Sequence, residues 1–325
     1  MVLHGNYDSF MKILIIGGGY LATKVACYLN ALNENVVLAT RKSDKILLFL
    51  PELTIRSINW DQTSILSELC QDVDIILHIA GVNYVQSSID PYSALELNSI
   101  RLQKLIDIAV SKKVKRLIYF STAHVYSGNL SGIINETTEA IGTHPYAYTH
   151  RIGEKHVLEA GEKGQLESIV VRLSNAFGPP AYKEVDCWNL LINSVCREVV
   201  EKSSATLATS GVQHRDFIAI EEVCKATHFL INFTFKRNNV SEIFNVGNGV
   251  STSVLGITQS IIDRARILFK NDVNLILPCP IIELEDRVPF FFSNEKLNKY
   301  GFKIQNSSID HIDNMLNSCQ HFFQK

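Results

Sequence analysis

The stretch Lys12-Ile-Leu-Ile-Ile-Gly-Gly-Gly-Tyr-Leu-Ala22 decides the fold. A run of aliphatic residues over Lys12–Ile16 predicts a short buried strand, and the apolar spacing over Tyr20–Leu32 predicts a helix. Three glycines separate the two elements. A strand that passes through glycines directly into a helix is the local structure that holds a phosphate group in nucleotide-binding proteins.

The glycine loop gives a role to each of its small residues. Gly17 permits a tight turn, Gly19 lets the backbone approach a pyrophosphate, and Ala22 lets the helix pack against the strand. The backbone amides of Tyr20 and Leu21 open the helix and point toward such an anion. The loop therefore predicts that the protein binds a dinucleotide.

Short aliphatic runs alternate with helix-period segments through the first half of the chain. Predicted strands follow at Asn35–Thr40, Ile75–Ile79, Leu117–Ser121 and Ser168–Leu173, and predicted helices at Ser64–Leu69, Ala94–Val110 and Ala147–Ala160. Because the strands lack polar alternation, both of their faces should be buried, as in parallel strands covered by helices. We therefore expect the α/β class with a doubly wound parallel sheet, whose ligands lie beyond the carboxyl ends of the strands.

The composition is that of a globular protein, with 46% hydrophobic residues, 20% charged residues and a net charge of −2. The basic run Lys112–Arg116 is interpreted as a solvated turn before a strand, so no nucleic acid is expected as a partner. Apolar stretches are too short for a membrane span, so no membrane is expected either. The seven cysteines form no C-x-x-C pair and no metal-ligand spacing, which predicts no metal site and a reducing, cytoplasmic location.

The end of the second predicted strand indicates which dinucleotide binds. Thr40 is followed by Arg41 and Lys42, and no carboxylate is present there for a ribose 2′-hydroxyl. Arg41 can pair with a 2′-phosphate through two charge-assisted hydrogen bonds, so NADP(H) is favoured and NAD(H) stays possible. The alternative is that Arg41 is a surface charge or stacks on adenine. Asp61 either accepts a hydrogen bond from the adenine amino group or is an exposed turn residue.

A second short stretch, Tyr146-Ala-Tyr-Thr-His150, places a phenol one helical turn from an ionisable ring. Hydride transfer to a ketone builds negative charge on its oxygen, so a proton donor must lie within hydrogen-bond reach. Tyr146 is the candidate donor, and it is the base of the reverse reaction. The alternative is a buried tyrosine whose hydroxyl is merely hydrogen-bonded.

Further motifs follow the glycine loop along the chain. They are His78-Ile-Ala-Gly81, Asn98, Ser121-Thr-Ala-His-Val-Tyr126, Pro145-Tyr146, Arg172-Leu-Ser-Asn-Ala-Phe-Gly-Pro179, Arg215-Asp-Phe217 and Phe244-Asn-Val-Gly247. In this order they resemble the extended short-chain dehydrogenase/reductases, and within them the NAD-dependent epimerase/dehydratase group that acts on nucleotide sugars. The resemblance covers the chain from Lys12 to about Phe302.

The resemblance implies a Rossmann fold with a smaller, interleaved C-terminal substrate domain. We expect the dinucleotide-binding domain over residues 11–175, with returns near 212–246, and the substrate domain over 176–211 and 247–325. Helices are expected there over Trp188–Val200 and Ser307–Phe323. Members of the family line the cofactor at the end of the fourth strand, which gives His78 and Ala80 here. Relatives commonly dimerise through the two long helices beside the sheet, so a homodimer is expected.

The resemblance also bears on the reacting groups. Thr122 is expected to give a second hydrogen bond to the reacting oxygen beside Tyr146, although it could be only a helix cap. At position 150 the family has lysine, whose charge lowers the pKa of the tyrosine and which hydrogen-bonds the nicotinamide ribose. His150 can still bond a ribose hydroxyl, but its charge would appear only below neutral pH. Altered pH dependence, help from another base, binding without turnover and a passive helix residue all stay open.

Residues for the substrate follow from the same family motifs. Asn175 and Arg215 match residues that hold the substrate diphosphate, with an ion pair to the neighbouring aspartate as the alternative for Arg215. Arg287 matches a further diphosphate-binding arginine only with a register shift. Sugar 4,6-dehydratases usually carry Asp-Glu after the catalytic Thr, whereas this chain has Ala123-His124. Dehydration is therefore disfavoured, and His124 is expected to line the substrate pocket.

The expected function is NAD(P)-dependent hydride transfer on a nucleotide-activated sugar, of the 4-ketoreductase or 4-epimerase type. Arg41 and Lys42 favour the NADPH-dependent reductase. The alternative is a non-catalytic NADP(H)-binding sensor or scaffold on the same fold.

Overall fold

The computed structural model describes residues 11–127, 130–236, 240–278, 289–305 and 308–324. Contacts divide the chain into two units. The first unit comprises the chain up to Phe120 together with His144–Val170 and Leu230–Glu242, and the second comprises Ser121–Thr143, Val171–Phe229 and the residues from Ile243 onward. The domain boundaries expected from the sequence stay a prediction.

The described residues contain fourteen strands and twelve α-helices. The strands are β1 (Lys12–Ile16), β2 (Asn35–Thr40), β3 (Thr54–Ser57), β4 (Ile75–His78), β5 (Arg116–Thr122), β6 (Gly132–Ile134), β7 (Glu167–Leu173), β8 (Asn175–Phe177), β9 (Ser204–Thr206), β10 (His214–Ala219), β11 (Ser241–Val246), β12 (Ser251–Ser253), β13 (Asn274–Ile276) and β14 (Phe290–Phe292). The helices are α1 (Tyr20–Ala31), α2 (Ser43–Leu47), α3 (Thr63–Leu69), α4 (Tyr84–Ile89), α5 (Pro91–Leu95), α6 (Arg101–Ser111), α7 (Pro145–Glu162), α8 (Leu191–Lys202), α9 (Ile220–Ile231), α10 (Val254–Phe269), α11 (Glu295–Lys299) and α12 (Ser308–Phe323).

Seven strands form one sheet in the order β11-β7-β5-β4-β1-β2-β3. β1 is parallel to both β2 and β4, β2 is parallel to β3, and β4 is parallel to β5. The strand order therefore reverses between β1 and β4, where ligands of such sheets bind. β4 and β5 are buried along their whole length. The predicted α/β class with a mostly parallel, doubly wound sheet is confirmed, and the five predicted strands agree with the structure to within one residue at each end.

The helix expected over Ala94–Val110 is present as an unbroken helical stretch, but it is not a regular α-helix throughout. The structure has α5, then a π-helical turn over Glu96–Ile100, and then α6. A π-helical turn closes its hydrogen bonds over five residues instead of four, so the side chains that follow shift in register. Asn98 lies in this turn and is fully buried, where its Nδ2 donates to Thr149 Oγ1 at 3.0 Å and its Oδ1 accepts the Val82 N–H at 3.0 Å. The turn thus anchors a buried amide between two other segments of the first unit.

The interpretation of the basic run as a solvated turn is wrong for its last residue. Arg116 opens β5 and is buried. Its guanidinium donates to the carbonyl oxygens of Leu230, Ile231 and Phe233 and pairs with Glu167. A buried charge needs such partners to offset its lost hydration. Arg116 is therefore a structural cation, and it is not part of a surface patch.

Gly153 allows α7 to pack closely in the first unit. A Cβ atom at this position would lie 2.6 Å from the carbonyl oxygen of Asn98 and 2.6 Å from the hydroxyl oxygen of Tyr119 on β5. Real Cβ atoms essentially never come this close to other atoms. Any residue except glycine would push α7 away from the π-helical turn and from β5.

In the second unit, β10 is parallel to β8 and antiparallel to β12. The helices α8, α10 and α12 contribute buried side chains to one hydrophobic core, among them Cys196, Ile261 and Met315. α8 and α12 correspond to the two helices expected there, and residue 307, the expected start of the second, lies outside the described residues. Among the helices that the structure describes, none is long and apolar enough to cross a membrane.

Replacing Gly153 by alanine tests the close approach of α7. Alanine is the better helix former by about 1 kcal/mol, so on an open helix surface the change would stabilise the protein. Crowding against Asn98 and Tyr119 should instead lower the free energy of unfolding by about 1–3 kcal/mol, measured by urea unfolding. The control Lys155→Ala, at an exposed position of the same helix, should change it by less than about 0.5 kcal/mol. A Gly153→Ala protein more stable than the wild type would contradict this packing.

Candidate active site

The glycine loop after β1 has the geometry of a phosphate cradle. Gly17 has a φ of 145°, and a Cβ atom there would lie 3.1 Å from Ala22 Cβ and 3.2 Å from the backbone N of Ala80. Gly18 passes so close to Thr40 that a Cβ atom would overlap the Thr40 hydroxyl. At Gly19, by contrast, no other atom of the described residues lies within 4 Å of an added Cβ, so this side of the loop is open in the described structure.

The first turn of α1 completes the cradle. Gly19 is the N-cap of this helix, and none of the described side chains caps its amides. The N-terminal amides and the macrodipole of a 12-residue helix favour an anion at this open side. The residues present therefore fit the pyrophosphate of a dinucleotide, and the roles of Tyr20 and Leu21 stay predictions.

The residues predicted to select the nucleotide lie on the surface of the first unit. Arg41 and Lys42 are exposed directly after β2, where the Thr40 hydroxyl accepts the Lys42 N–H at 3.2 Å. The Asp61 side chain is 83% exposed and lies 3.6 Å from the guanidinium of Arg101. Their predicted contacts with a 2′-phosphate and with adenine stay predictions.

His78 ends β4 as a fully buried ring. Its ring centroid lies 6.1 Å from that of Trp60 and 5.6 Å from that of Tyr119. Neither ring nitrogen has a hydrogen-bond partner among the described residues. Burial lowers the pKa of His78 to about 4, so the ring is neutral near pH 7. The predicted place of His78 at a cofactor stays a prediction.

Tyr146 and His150 lie together at the start of α7. His144 caps this helix, since its Nδ1 accepts the Tyr146 N–H at 3.2 Å, and Pro145 occupies the first helical position. The ring centroids of Tyr146 and His150 are 4.6 Å apart, with the rings edge to face at 73°. The structure thus brings the predicted proton donor and the residue at the lysine position into contact.

The sequence did not reveal the partner of His150. The Tyr119 hydroxyl lies 2.8 Å from His150 Nδ1, and the two residues are 0% and 5% exposed. On the other edge of the ring, a Cβ atom at Gly81 would lie 3.7 Å from His150 Nε2. Burial raises the pKa of Tyr119 well above its ordinary value, and the carboxylate of Glu154 raises it further. Tyr119 is therefore a neutral phenol at neutral pH. The single phenol in the buried strand β5 was the only signal of this contact.

In the second unit, Thr122 caps a short helix. Its Oγ1 accepts the His124 N–H at 3.2 Å and begins the 3-10 helix Ala123–Val125. Thr122 is thus a helix cap, and whether it also acts at a reacting oxygen stays a prediction. His124 is exposed, as a residue that lines a pocket for a ligand can be.

Two of the predicted diphosphate-binding residues, Asn175 and Arg215, also belong to the second unit. Asn175 Nδ2 donates to the backbone oxygen of Asp216 at 2.8 Å, and Arg215 is exposed on β10. The Asp216 carboxylate accepts the backbone N–H groups of Asn248 and Gly249, each at 2.8 Å, and burial raises its pKa to about 6. Asp216 thus holds the loop after β11, beside the exposed guanidinium of Arg215.

Two further expectations concern residues and ligands outside this geometry. Arg287 lies outside the described residues, so its predicted role stays a prediction. In the described part of the chain, no group of three or more His, Cys, Asp or Glu side chains could hold a metal ion.

Comparison with known proteins identifies the family. The model of the NAD dependent epimerase/dehydratase family matches residues 13–247, and the chain belongs to this family. The dTDP-D-glucose 4,6-dehydratase of Bos taurus is 25% identical over 276 residues, which cover 81% of this chain and 75% of that protein. The family expected from the sequence motifs is confirmed, while the reaction is resolved only to nucleotide-sugar epimerases and dehydratases.

Two solved structures show the same fold. UDP-N-acetylglucosamine 4-epimerase from Methanobrevibacter ruminantium M1 matches with a TM-score of 0.80 and 20% identity, over 95% of this chain and 97% of that one. RMD from Pseudomonas aeruginosa, solved in complex with NADPH, matches with a TM-score of 0.77 and 18% identity, over 96% and 99%.

The buried ring of His78 predicts a pH dependence of stability. In the unfolded chain the ring takes up a proton near its ordinary pKa of about 6.5, whereas in the folded protein its pKa is about 4. Because the unfolded state binds the proton first, the free energy of unfolding should fall as the pH falls from about 6.5 to about 4, by roughly 3 kcal/mol in all.

Urea unfolding of the wild type and of His78→Leu at a series of pH values isolates this contribution. Leucine keeps the buried volume and removes the titrating ring. The difference in the free energy of unfolding between the two proteins should therefore change across this pH window. If the free energies of unfolding of the two proteins changed in parallel with pH, the ring of His78 would have the same pKa in the folded and unfolded states, which would contradict the prediction.

Proposed function

We propose that the protein is an NADPH-dependent oxidoreductase that transfers hydride at a carbon of a nucleotide-activated sugar, as a 4-ketoreductase or a 4-epimerase does. The observation that carries the proposal is the Tyr146–His150 pair at the start of α7, in the same unit as the open glycine loop. A bound nicotinamide would supply or accept the hydride. The chain supplies the cradle, the proton donor and the groups that orient both reactants.

The cofactor side of the proposal rests on the first unit. The amides at the start of α1 would hold the pyrophosphate beside Gly19, and the exposed Arg41 and Lys42 would hold a 2′-phosphate. The planar guanidinium of an arginine can donate two parallel hydrogen bonds to a 2′-phosphate. A ribose 2′-hydroxyl, which carries no charge, gains less from such a group. Asp61 is proposed to lie at the adenine. A protein of this fold was solved with NADPH, which supports the choice, although other relatives were solved with NAD.

Tyr146 is proposed to move the proton. It occupies the first turn of α7 and is half-buried, so a substrate oxygen can reach its hydroxyl. In a reduction the hydroxyl donates its proton as negative charge develops on the sugar oxygen, and in the reverse direction it accepts one. Thr122 is proposed to give that oxygen a second hydrogen bond in addition to its helix-capping role.

The substrate side rests on the second unit. Arg215 is proposed to pair with the nucleotide diphosphate, with Asn175 and Arg287 as further donors and His124 at the sugar. Related proteins are named for dTDP-sugars and UDP-sugars. Dehydration is not proposed, although a dehydratase is among the relatives, because elimination of water needs an acid and a base that the short side chain of Ala123 does not supply.

A homodimer is proposed on the first unit. Large apolar side chains are exposed on α5, on the π-helical turn and on α7, namely Tyr92, Ile100 and Tyr148. Exposed apolar groups of this kind favour contact with a second protein surface. We propose a second copy of this chain as that surface and the cytoplasm as its location.

Cofactor choice gives one test. An NADPH-dependent reductase must exchange its cofactor, so ultraviolet spectra and mass analysis of the freshly purified protein should show no tightly retained NAD. NADPH should bind more tightly than NADH, and Arg41→Ala should raise the dissociation constant of NADPH about tenfold while leaving that of NADH unchanged. The control Lys155→Ala, an exposed cation on α7, should change neither constant. Retained NAD, or an unchanged NADPH affinity in Arg41→Ala, would contradict the NADPH-dependent version.

Turnover gives a second test. With NADPH and a panel of UDP-, GDP-, CDP- and dTDP-linked keto-sugars, Tyr146→Phe should lower kcat by about a hundredfold or more because the proton donor is lost. Its affinity for NADPH should stay that of the wild type. Tyr148→Phe, which removes an exposed phenol from the same helix, is the matched control and should keep its activity. Unchanged turnover in Tyr146→Phe would refute the site, and NADPH binding without turnover on any sugar would favour the sensor.

A further inference from the structure

We propose that Tyr119 is a positioning residue that fixes His150 as the neutral tautomer with its proton on Nε2. This inference rests on the proposed function in one respect, which is that the Nε2–H group donates to the nicotinamide ribose. The imidazole then replaces the hydrogen bond of the family's lysine, but it does not replace its charge.

The hydrogen bond between Tyr119 and His150 has a defined direction. Tyr119 is fully buried, and His150 Nδ1 at 2.8 Å is the hydrogen-bond partner of its hydroxyl among the described residues. If Nδ1 carried the proton, the phenol would have to accept, and its own O–H would point at no acceptor in the described structure. A buried hydroxyl without an acceptor is strongly disfavoured. The phenol therefore donates to Nδ1, which must be unprotonated.

The one proton of the neutral His150 ring lies on Nε2. A neutral imidazole whose Nδ1 accepts a hydrogen bond carries its proton on Nε2. This edge of the ring faces Gly81, in the loop that follows β4. Parallel α/β sheets bind their ligands beyond the carboxyl ends of the strands, so the N–H group is presented on the ligand side of the first unit.

Several titratable groups surround the His150 ring. Tyr119 on β5, Tyr146 and Glu154 on α7, and the buried His78 on β4 are the titratable groups packed around this site. Burial keeps Tyr119 protonated, so the donor to Nδ1 persists through neutral pH. If Nδ1 of His150 were also protonated, its N–H group and the Tyr119 O–H group would both be donors facing each other. The phenol hydrogen would then have no acceptor among the described residues. In this proposal His150 acts by orienting one hydrogen bond.

The tautomer can be measured without substrate or cofactor. The full-length protein is labelled with ¹⁵N in its histidine rings, and the His150 signals are identified by their loss in His150→Gln. In the wild type we expect His150 with a protonated Nε2 and an unprotonated Nδ1, in a ratio of at least about tenfold over the other tautomer, which corresponds to about 1.4 kcal/mol. A dominant Nδ1–H form, or an equal mixture, would overturn the proposal.

Tyr119→Phe tests the cause. The variant should convert His150 to a mixture of tautomers, whereas Tyr126→Phe should leave the His150 signals unchanged. Tyr126 is the matched control because its phenol is also buried and donates to a different residue, Asn245, at 2.6 Å. A His150 tautomer that is the same in Tyr119→Phe as in the wild type would show that Tyr119 only fills the core.

Cofactor affinity connects the tautomer to function. Tyr119→Phe should weaken NADPH binding about threefold to tenfold, which is the effect of one misdirected hydrogen bond. In a His150→Lys background the same substitution should have no further effect, because lysine has no tautomer to fix, and such a double-mutant cycle isolates the pair. An equal loss in both backgrounds would contradict the coupling. A wild type that binds no NADPH would refute the proposed function, while the tautomer measured in the cofactor-free protein would still stand or fall separately.

Discussion

The hydrogen bond between the Tyr119 hydroxyl and His150 Nδ1 joins β5 to α7 inside the first unit. It can form because α7 approaches the strand and the π-helical turn closely, and Gly153 is the residue that permits this approach. One turn before Gly153, His150 receives the bond, and one turn earlier still Tyr146 packs edge-on against the His150 ring. The phenol proposed to move the proton is therefore positioned by contacts that begin in the core of the sheet. A small change in the packing of α7 would displace Gly153, His150 and Tyr146 together.

A neutral imidazole and an ammonium group serve a reacting tyrosine differently. The charge of a lysine stabilises a phenolate over several ångströms by a few kcal/mol at the effective dielectric constant of a protein surface. The proposed His150 gives only a directional hydrogen bond. The N-terminus of α7, whose first turn contains Tyr146, also favours negative charge there, by about 0.3–1 kcal/mol. A directional hydrogen bond without a fixed positive charge suits the role proposed for Tyr146 as a proton donor in the reduction of a ketone.

The sequence predicted those parts of the fold that depend on local patterns. Buried strands and the glycine loop have strong signals because aliphatic runs and glycines act over a few residues, and the strand ends agree within one residue. β3 was missed because Thr54–Ser57 is short, polar and mostly exposed, and it forms only as the partner of β2. The π-helical turn was missed because an inserted residue leaves the apolar content unchanged. The contact of Tyr119 with His150 joins a strand to a helix 31 residues away, and no local pattern encodes it. Periodicity did place Tyr146 and His150 on one helix face, while the chemical roles of the site residues stay proposals.

The most direct test of the central claim follows the hydride itself. The protein is incubated with NADPH that carries deuterium at the transferable position of the nicotinamide, together with a nucleotide-linked keto-sugar, and the sugar product is analysed by mass spectrometry and NMR. Our account predicts one deuterium on the carbon that carried the ketone and a matching yield of NADP⁺. A product without deuterium, or consumption of NADPH without a change in the sugar, would contradict it.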